Sequence, residues 1–303
     1  MTADGPGAGA MDASLFDPPH AAVADAVRIA LAEDLLPLGD LTAALVPASV
    51  IRSVAVVSRA AGVVAGRACA VETLAQVDPS VDVVWRLADG SAVTPGSVVA
   101  VLTGPLRSIL TAERTALNFL GHLSGVATLT RAFVDVVAAA NPTTRVLDTR
   151  KTTPGLRSLE KAAVRAGGGT NHRGSLSDAV LVKDNHLGGV TITEAVGQAQ
   201  RLWPGRMVEV ECDRDEQVVE ALAAGATVVM LDNMTSDQVK ACVGLVQDSG
   251  TATLVEVSGG VDLDSAPGYA AAGADLISVG ALTHSARVLD LGLDLMPDLG
   301  GGD

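Results

Sequence analysis

The chain of 303 residues contains few aromatic residues and few cysteines. Trp, Tyr and Phe together make up 2% of it, so its core must be built from Ala, Val and Leu. Few rings are available for stacking on single-stranded nucleic acid. The three cysteines, Cys69, Cys212 and Cys242, are widely spaced and form no Cys-x-x-Cys motif. Neither a disulfide framework nor a structural zinc site is therefore expected.

Positive charge is also scarce, because 21 Lys and Arg face 35 Asp and Glu and the net charge is −14. This balance argues against nucleic acid or an anionic membrane surface as the partner. The first 19 residues lack a basic and apolar leader and are predicted to be disordered, without a signal peptide. The longest charge-free segments are too short or too polar to span a bilayer. The predicted location is the cytoplasm.

The spacing of apolar residues predicts two domains. Residues 20–125 have the pattern of an α/β sandwich, with helices over about 20–32 and 69–77. Its strands are predicted around Val54–Val57, Val63–Val64, Val81–Leu87 and Val98–Leu102. A long helix, starting at Ser108 or Thr111 and ending at Asn141–Pro142, is predicted to bridge the domains.

Residues 126–284 show strand and helix patterns in alternation, which favours a parallel α/β barrel. Short apolar runs recur at Val146–Leu147, Ala179–Val182, Met207–Val210, Val228–Leu231, Thr253–Val257 and Leu276–Val279. Six such units predict an open barrel, short of eight strands. Residues 285–303 are predicted to form a C-terminal helix that joins the sandwich domain.

A polar residue or a glycine follows each predicted barrel strand, where barrels carry their chemistry. These residues are Asp148, Lys183, Glu211, Asp232, Ser258 and Gly280. The stretch 145–183 holds eight Lys or Arg and three Asp or Glu, a net charge of +5 inside an acidic chain. Such a cluster attracts a small polyanion.

Three groups of residues are candidates for binding and catalysis. Glu211 and Asp232 can hold Mg²⁺ against phosphates, or can merely cap helices. The glycines after the late strands can bind phosphate through backbone N–H groups, or can form ordinary turns; they are Gly259 and Gly260, after Ser258, and Gly280. The cations can bind carboxylate or phosphate, or can form surface salt bridges; they are Arg150, Lys151, His172, Arg173 and Lys183.

Individual residues in these groups leave further alternatives open. His172 can be a satisfied structural histidine, but its position beside Arg173 favours ligand contact. His284 is a weaker candidate of the same kind, and His122 is assigned to helix packing. Lys183 can also be the Schiff-base nucleophile of an aldolase, although the surrounding charges suit phosphate better.

Several motifs together resemble the quinolinate phosphoribosyltransferase family, over nearly all of the chain beyond residue 20. They are DTRKTTPGLR (148–157), GGGTNHR (167–173), LVKDNH (181–186), VEVEC (208–212), MLDNM (230–234), SGG (258–260) and VGALTHS (279–285), with GDLT (39–42) and ERTALNFLGHLSG (113–125) upstream.

The resemblance implies an N-terminal α/β sandwich, an open α/β barrel and a homodimer with shared active sites. It implies that four cations hold the two carboxylates of quinolinate: Arg114 of the neighbouring subunit, Arg150, His172 and Arg173. It places the remaining residues around phosphoribosyl pyrophosphate and Mg²⁺: Lys151, Lys183, Glu211, Asp232, Ser258, Gly259 and Gly280, with Gly260 and His284 nearby. Lys151, Lys183, Glu211 and Asp232 are the expected catalytic residues.

Three other functions remain open from the residues. A nicotinate phosphoribosyltransferase would share the barrel but release no CO₂, and one substrate carboxylate would need fewer cations. An aldolase would use Lys183 covalently. A phosphate-ligand-binding paralogue would bind without releasing pyrophosphate.

Overall fold

The structure is a computed structural model, and it describes residues 17–297. Most of the predicted lead-in, residues 1–16, and the last residues of the predicted C-terminal helix, 298–303, lie outside the described residues.

The first domain packs two helices against a small antiparallel sheet. Its helices and strands are α1 (His20–Leu35), β1 (Ile51–Ser58), β2 (Gly62–Val63), α2 (Arg67–Val77), β3 (Asp82–Trp85), β4 (Ala92–Val93) and β5 (Val98–Pro105), with a 3-10 turn at Ala43–Leu45. The main sheet has the order β12-β1-β5-β3, where β12 (Leu291–Leu295) comes from the end of the chain. Val54, Val56 and Leu102 of this sheet pack with Ile109 and Leu120 of the next helix, so the domain has its own core.

The long helix α3 (Leu106–Ala140) joins the two domains, as predicted, but it starts earlier than Ser108 or Thr111. Pro105 precedes it with φ −58°, a value that proline fixes and that leads directly into a helix. By length and composition α3 could cross a membrane, which the sequence reasoning did not expect of any segment. It packs against α2 and the second domain, as a core helix of a soluble protein does.

The second domain alternates strands and helices. Its members are β6 (Arg145–Leu147), α4 (Arg157–Ala166), β7 (Val180–Val182), α5 (Ile192–Leu202), β8 (Val208–Cys212), α6 (Asp215–Ala224), β9 (Val228–Asp232), α7 (Ser236–Ser249), β10 (Leu254–Ser258), α8 (Ala266–Ala271), β11 (Leu276–Ser278) and α9 (Ala281–His284), with a 3-10 turn at Asp184–His186. All six strands are parallel, in the order β6-β11-β10-β9-β8-β7. The edge strands β6 and β7 are not paired with each other, so the barrel is open.

Alternation along the strands separates an apolar outer face from a polar inner one. In β8, Val208, Val210 and Cys212 are buried in the core cluster beneath the helices. Glu209 and Glu211 alternate with them and therefore point to the opposite face. The polar face of the sheet is the inside of the barrel, where the candidate site lies.

The predicted C-terminal helix 285–303 is wrong in its described part. The chain forms the strand β12, which pairs antiparallel with β1, Val56 lying opposite Leu293. Alternate residues Leu291 and Leu293 pack into the first core, and Gly292 between them disfavours a helix. The tail does return to the first domain, but it extends the sheet.

Candidate active site

A cavity of about 340 Å³ opens at the carboxyl ends of the barrel strands. Each of the six strands, or the loop that follows or precedes it, contributes to the lining. The lining residues are Thr149, Arg150, Lys151, His172, Arg173, Leu181, Lys183, Glu211, Met230, Asp232, Ser258, Gly259 and Ser278. All five predicted cations and both predicted acids are therefore brought together here.

A larger cavity of about 840 Å³ lies between α2, α3 and α4. It is lined by residues of helix surfaces and by the Asp89 loop, away from the strand ends. We assign the chemistry to the smaller cavity, because parallel barrels direct their functional side chains to the carboxyl ends of the strands.

The two acids lie on adjacent strands and face the same way. Glu211 is paired in register with Met230, and Asp232 follows Met230 by two residues, which returns it to the same face. Asp232 is in turn paired with Ser258 of β10. This pair of strand-end carboxylates fits an ion that prefers oxygen ligands.

Lys183 forms an ion pair with Glu211 across the mouth of the cavity. The Lys183 side chain is 38% exposed, so a ligand can reach it. A Schiff-base lysine is typically desolvated in an apolar pocket or set beside another cation, whereas Lys183 lies against a carboxylate. The arrangement therefore suits binding of an anion better than the aldolase alternative.

A buried carboxylate under the strand ends fixes the loop that carries His172 and Arg173. Asp148 is fully buried and accepts hydrogen bonds from Lys161 Nζ, from Asn171 Nδ2 at 2.6 Å and from the backbone N–H of His172 at 2.9 Å. Burial raises the pKa of Asp148, and Lys161 opposes that shift. Lys161 Nζ also donates to the carbonyl of His172 at 2.9 Å, so the loop is held through both the backbone N–H and the carbonyl of this one residue.

The ring of His172 is held from below by two more buried carboxylates. His172 Nε2 lies 3.0 Å from Oε2 of Glu209 and 3.5 Å from Oε2 of Glu256. Burial alone would lower the pKa of His172, but Glu209 and Glu256 raise it to about 10. His172 thus combines the two roles that the sequence left open, since it is held structurally and also lines the cavity.

Arg150 and Arg173 lie close together in the same lining. Burial lowers the pKa of Arg173, and the positive charge of Arg150 lowers it further. Nε of Arg150 is buried and has no hydrogen-bond partner within residues 17–297. Two guanidinium groups that repel each other in a cavity form a site suited to an anion.

The loop 258–260 after β10 needs its first glycine. Gly259 has φ +93°, and a Cβ there would lie 2.3 Å from Oδ1 of Asn233. Helix α8 begins only at Ala266, so no helix N-terminus reaches this loop. Any phosphate bound here would contact backbone N–H groups of the loop itself.

Gly280 and His284 lie at the rim, beside Lys151. A Cβ on Gly280 would be 3.1 Å from Cδ of Lys151 and 3.2 Å from Nε2 of His284. Thr283 Oγ1 donates to the carbonyl of Lys151 at 2.8 Å, so α9 holds the Lys151 loop in place. Neither Gly280, Gly260 nor His284 is among the residues that line the cavity.

Comparison with known proteins agrees with this geometry. Residues 40–124 match the family description "Quinolinate phosphoribosyl transferase, N-terminal domain" and residues 126–294 match its "C-terminal domain". The nicotinate-nucleotide pyrophosphorylase (carboxylating) of Mycobacterium leprae is 42% identical over 279 residues, which cover 90% of this chain and 97% of that protein. The chain belongs to the quinolinate phosphoribosyltransferase family.

Two further relatives extend the comparison. Quinolinate phosphoribosyltransferase (decarboxylating) 1 of Nicotiana glauca is 38% identical over 293 residues, covering 90% of this chain and 82% of that protein. The solved structure of the nicotinate-nucleotide pyrophosphorylase from Francisella tularensis has a TM-score of 0.87 and 39% identity. The matched region covers 93% of this chain and 98% of the Francisella tularensis protein, so both domains of the fold are shared.

Arg114 stands apart from the other residues that the family resemblance selects. It is exposed on α3, in the third turn of that helix, and it does not line the cavity of its own barrel. Arg107, Thr111 and Arg114 lie on one face of α3, at a spacing of four and three residues. Arg107 donates to the carbonyls of Ala44 and Val46, which fixes the neighbouring loop beside Arg114.

The sequence reasoning missed Glu209 and Glu256 as members of the site. The signal for both was the alternation of side chains along a strand. Glu209 in VEVEC lies two positions before Glu211, and Glu256 in LVEVS lies two positions before Ser258, so each shares a face with a predicted site residue. Asp148 was noted as a strand-end residue, but it lies beneath the site and holds the His172 loop. His122 likewise makes a structural contact outside the cavity, since its Nε2 lies 2.8 Å from Oε1 of the buried Glu160.

Proposed function

We propose that this protein transfers the phosphoribosyl group of phosphoribosyl pyrophosphate to quinolinate, with loss of CO₂, and yields nicotinate mononucleotide and pyrophosphate. The observation that carries the proposal is one cavity lined by five cations and two strand-end carboxylates, in a member of this family. Relatives that match most of the chain carry the names of this reaction.

The cations divide between the two anionic substrates. Arg150, His172 and Arg173 lie on the side of the cavity formed by β6 and the loop before β7, and we assign to them the two carboxylates of quinolinate. Lys151 and Lys183 provide point charges for pyrophosphate, as lysine does where bidentate geometry is not required. Four cations including Arg114 suit a dicarboxylate better than a monocarboxylate, which favours quinolinate over nicotinate.

The chemistry needs little from the protein beyond positioning and charge. The pyridine nitrogen attacks C1 of the ribose as pyrophosphate leaves, so negative charge builds on the leaving group and positive charge on the sugar. Lys151 and Lys183 stabilise the negative charge on the leaving group, and the carboxylates of Glu211 and Asp232 accommodate the positive charge on the sugar. The nitrogen carries no proton, so the first step needs no general base. Afterwards the positive ring nitrogen stabilises the carbanion that loss of the 2-carboxylate as CO₂ leaves at C2, and this carbanion takes up a proton from water to give nicotinate mononucleotide.

We also propose Mg²⁺ as the metal. Glu211 and Asp232 would hold it, directly or through water, against substrate phosphate oxygens. When bound, it supplies charge neutralisation for the leaving pyrophosphate.

A turnover assay with quinolinate and phosphoribosyl pyrophosphate, following CO₂ and pyrophosphate together, tests the proposal. Equal release of both is expected. Nicotinate is the matched alternative substrate: pyrophosphate released with nicotinate and not with quinolinate would favour the nicotinate enzyme. Borohydride trapping at Lys183 with a carbonyl substrate would favour the aldolase. Binding of both substrates with no product would favour a non-catalytic paralogue.

We propose that a second copy of the chain completes each site. Four leucines before and within the loop beside Arg114 are exposed by 67–83%: Leu36, Leu38, Leu41 and Leu45. An apolar patch of this kind is typical of a protein contact. Asp40 ties this loop to α3, since its Oδ2 accepts from Thr111 Oγ1 at 3.1 Å. The patch and Arg114 therefore form one rigid surface that can cover the barrel mouth of a partner.

We propose a cytoplasmic location, with neither nucleic acid nor a membrane as partner. The net charge of −14 supports the absence of polyanionic partners. The packing of α3 between the two domains supports a soluble protein.

A further inference from the structure

The floor of the cavity contains a buried polar cluster formed by His172, Glu209, Glu256 and Ser278. Glu209 is fully buried and Glu256 is 1% exposed. Ser278 Oγ donates to Oε1 of Glu256 at 2.5 Å, which fixes the orientation of that carboxylate. Each carboxylate turns its Oε2 to the same nitrogen, Nε2 of His172. The contacts of Nε2 are thus satisfied from below the cavity.

The other ring nitrogen remains for a ligand. Nδ1 of His172 has no hydrogen-bond partner within residues 17–297, and it is not one of the fully buried unpartnered atoms. His172 lines the cavity, so Nδ1 is open to it. A neutral ring that donates from Nε2 would offer an acceptor at Nδ1, and an acceptor repels a carboxylate. An imidazolium offers a donor at both nitrogens.

We infer that Glu209 and Glu256 are positioning residues that hold His172 as an imidazolium, with its Nδ1–H presented to a carboxylate of the dicarboxylate substrate. The inference rests on the proposed function for the identity of that substrate. It predicts that Glu209 and Glu256 affect the binding of quinolinate but not the binding of phosphoribosyl pyrophosphate.

Burial of two carboxylates at these positions is expensive if they serve the fold alone. The outer face of the same two strands is built from Val and Cys, which shows that apolar residues can occupy this sheet. Replacing a whole buried group of charged partners by well-packed apolar residues is often neutral or stabilising. Oε1 of Glu209 is buried without any partner in the described part of the chain, which adds to the cost.

Steady-state kinetics of Glu209→Gln and Glu256→Gln test the inference, because glutamine keeps the shape and removes the charge. We expect each variant to raise KM for quinolinate, Glu209→Gln by about tenfold or more, since hydrogen bonds to charged groups are the strong ones. KM for phosphoribosyl pyrophosphate should stay within about twofold. The matched control is Thr144→Val, which removes another buried hydrogen bond, Thr144 Oγ1 to the carbonyl of Ala274 at 2.6 Å, at the opposite end of the barrel. It should lower stability without shifting either KM.

A spectroscopic measurement separates positioning from general damage and from failure of the proposed function. The chain has five histidines, so ¹⁵N-labelled rings can be resolved, and His172 assigned from the signal lost in His172→Asn. In the wild type at about pH 8, both ring nitrogens of His172 should be protonated, and in the double glutamine variant one should not. A neutral His172 in the wild type, an unchanged ring in the double variant, or parallel rises of both KM values would overturn the inference. If the wild type fails to turn over quinolinate, the proposed function fails, while the ring spectrum still decides whether the glutamates hold the imidazolium.

Discussion

Lys183 and Glu211 form an ion pair across the mouth of the cavity, where we propose that a substrate phosphate competes for the lysine. We predict that Lys183→Ala lowers kcat/KM by about 10²–10³-fold, because a positioned cation stabilises the charge that builds on pyrophosphate. The fold should survive, since the Lys183 side chain is 38% exposed. Steady-state kinetics and circular dichroism provide the measurement.

Lys240→Ala is the control for that change, because Lys240 is an exposed lysine on α7. It should behave as the wild type. A folded Lys183→Ala protein with near-normal turnover would remove Lys183 from the mechanism.

Gly259 is required by contact as well as by its positive φ. We predict that Gly259→Ala lowers activity and the unfolding temperature together, because its Cβ would collide with Asn233 Oδ1 at 2.3 Å. Gly244→Ala is the matched control, since Gly244 lies within α7 with nothing within 4 Å of the added atom. It should raise stability by about 0.5–1 kcal/mol. Equal effects of both changes on thermal unfolding and turnover would contradict the assigned strain at Gly259.

Among individual residues, those at the rim of the cavity could be predicted from the sequence better than those at its floor. Lys183 directly follows β7, Asp232 is the last residue of β9 and Glu211 the last but one of β8, so the position of each strand end locates them. Glu209 and Glu256 lie inside strands, where an acid breaks the apolar pattern. They could be found only by treating each strand as two alternating faces, one of which faces polar neighbours from other strands.

Among the elements, β12 shows why local pattern is a weak guide near a chain end. The segment LGLDL alternates over only five residues, too few to separate a strand from an amphipathic turn. What decides its conformation is the unpaired edge of β1, far away in sequence. The predicted start of α3 was also wrong. Pro105 ends β5 and leads directly into the helix, so the helix begins before Ser108.

The packing of β12 leads to a prediction about stability. Leu291 is 9% exposed and Leu295 is 64% exposed in the same strand. We predict that Leu291→Ala lowers the free energy of unfolding by about 2 kcal/mol or more, whereas Leu295→Ala costs well under about 1 kcal/mol. Denaturant unfolding of the two variants measures the difference. Equal costs would mean that β12 does not pack on the first core as described.

A metal site is predicted at the carboxyl ends of β8 and β9. Their two carboxylates lie on one face beside the cations, and we predict that turnover requires a divalent metal. Activity should disappear in excess chelator and return when Mg²⁺ is added back. Undiminished turnover in chelator would leave Glu211 and Asp232 with an electrostatic role only.

On the scale of the whole molecule, the uneven charge has a simple structural basis. The stretch 145–183 gathers its cations at the strand ends and on α4, while the acidic surplus is spread over the rest of the chain. Five of the cations line one cavity. An acidic chain with a cationic cavity directs small polyanions to that cavity and disfavours large ones elsewhere.

Arg114 is the residue through which we propose that one subunit completes the site of another. It is exposed, outside its own cavity, and flanked by the leucine patch. We predict that it binds a quinolinate carboxylate in the barrel of a second subunit. Arg114→Ala should then raise KM for quinolinate or reduce turnover while the chain stays folded.

Subunit mixing tests this prediction directly. Arg114→Ala and Lys183→Ala proteins should each have low activity alone, whereas a heterodimer with shared sites would contain one site with both residues intact. Random exchange gives about half heterodimers, each with one complete site of two, so recovery of about a quarter of wild-type activity is expected. The control mixes Lys183→Ala with Asp232→Asn: both residues belong to the same barrel, so every heterodimer site keeps one defect and no recovery is expected. If heterodimers of the first pair form, as native mass spectrometry would show, and activity does not return, Arg114 serves its own barrel and the shared site is wrong.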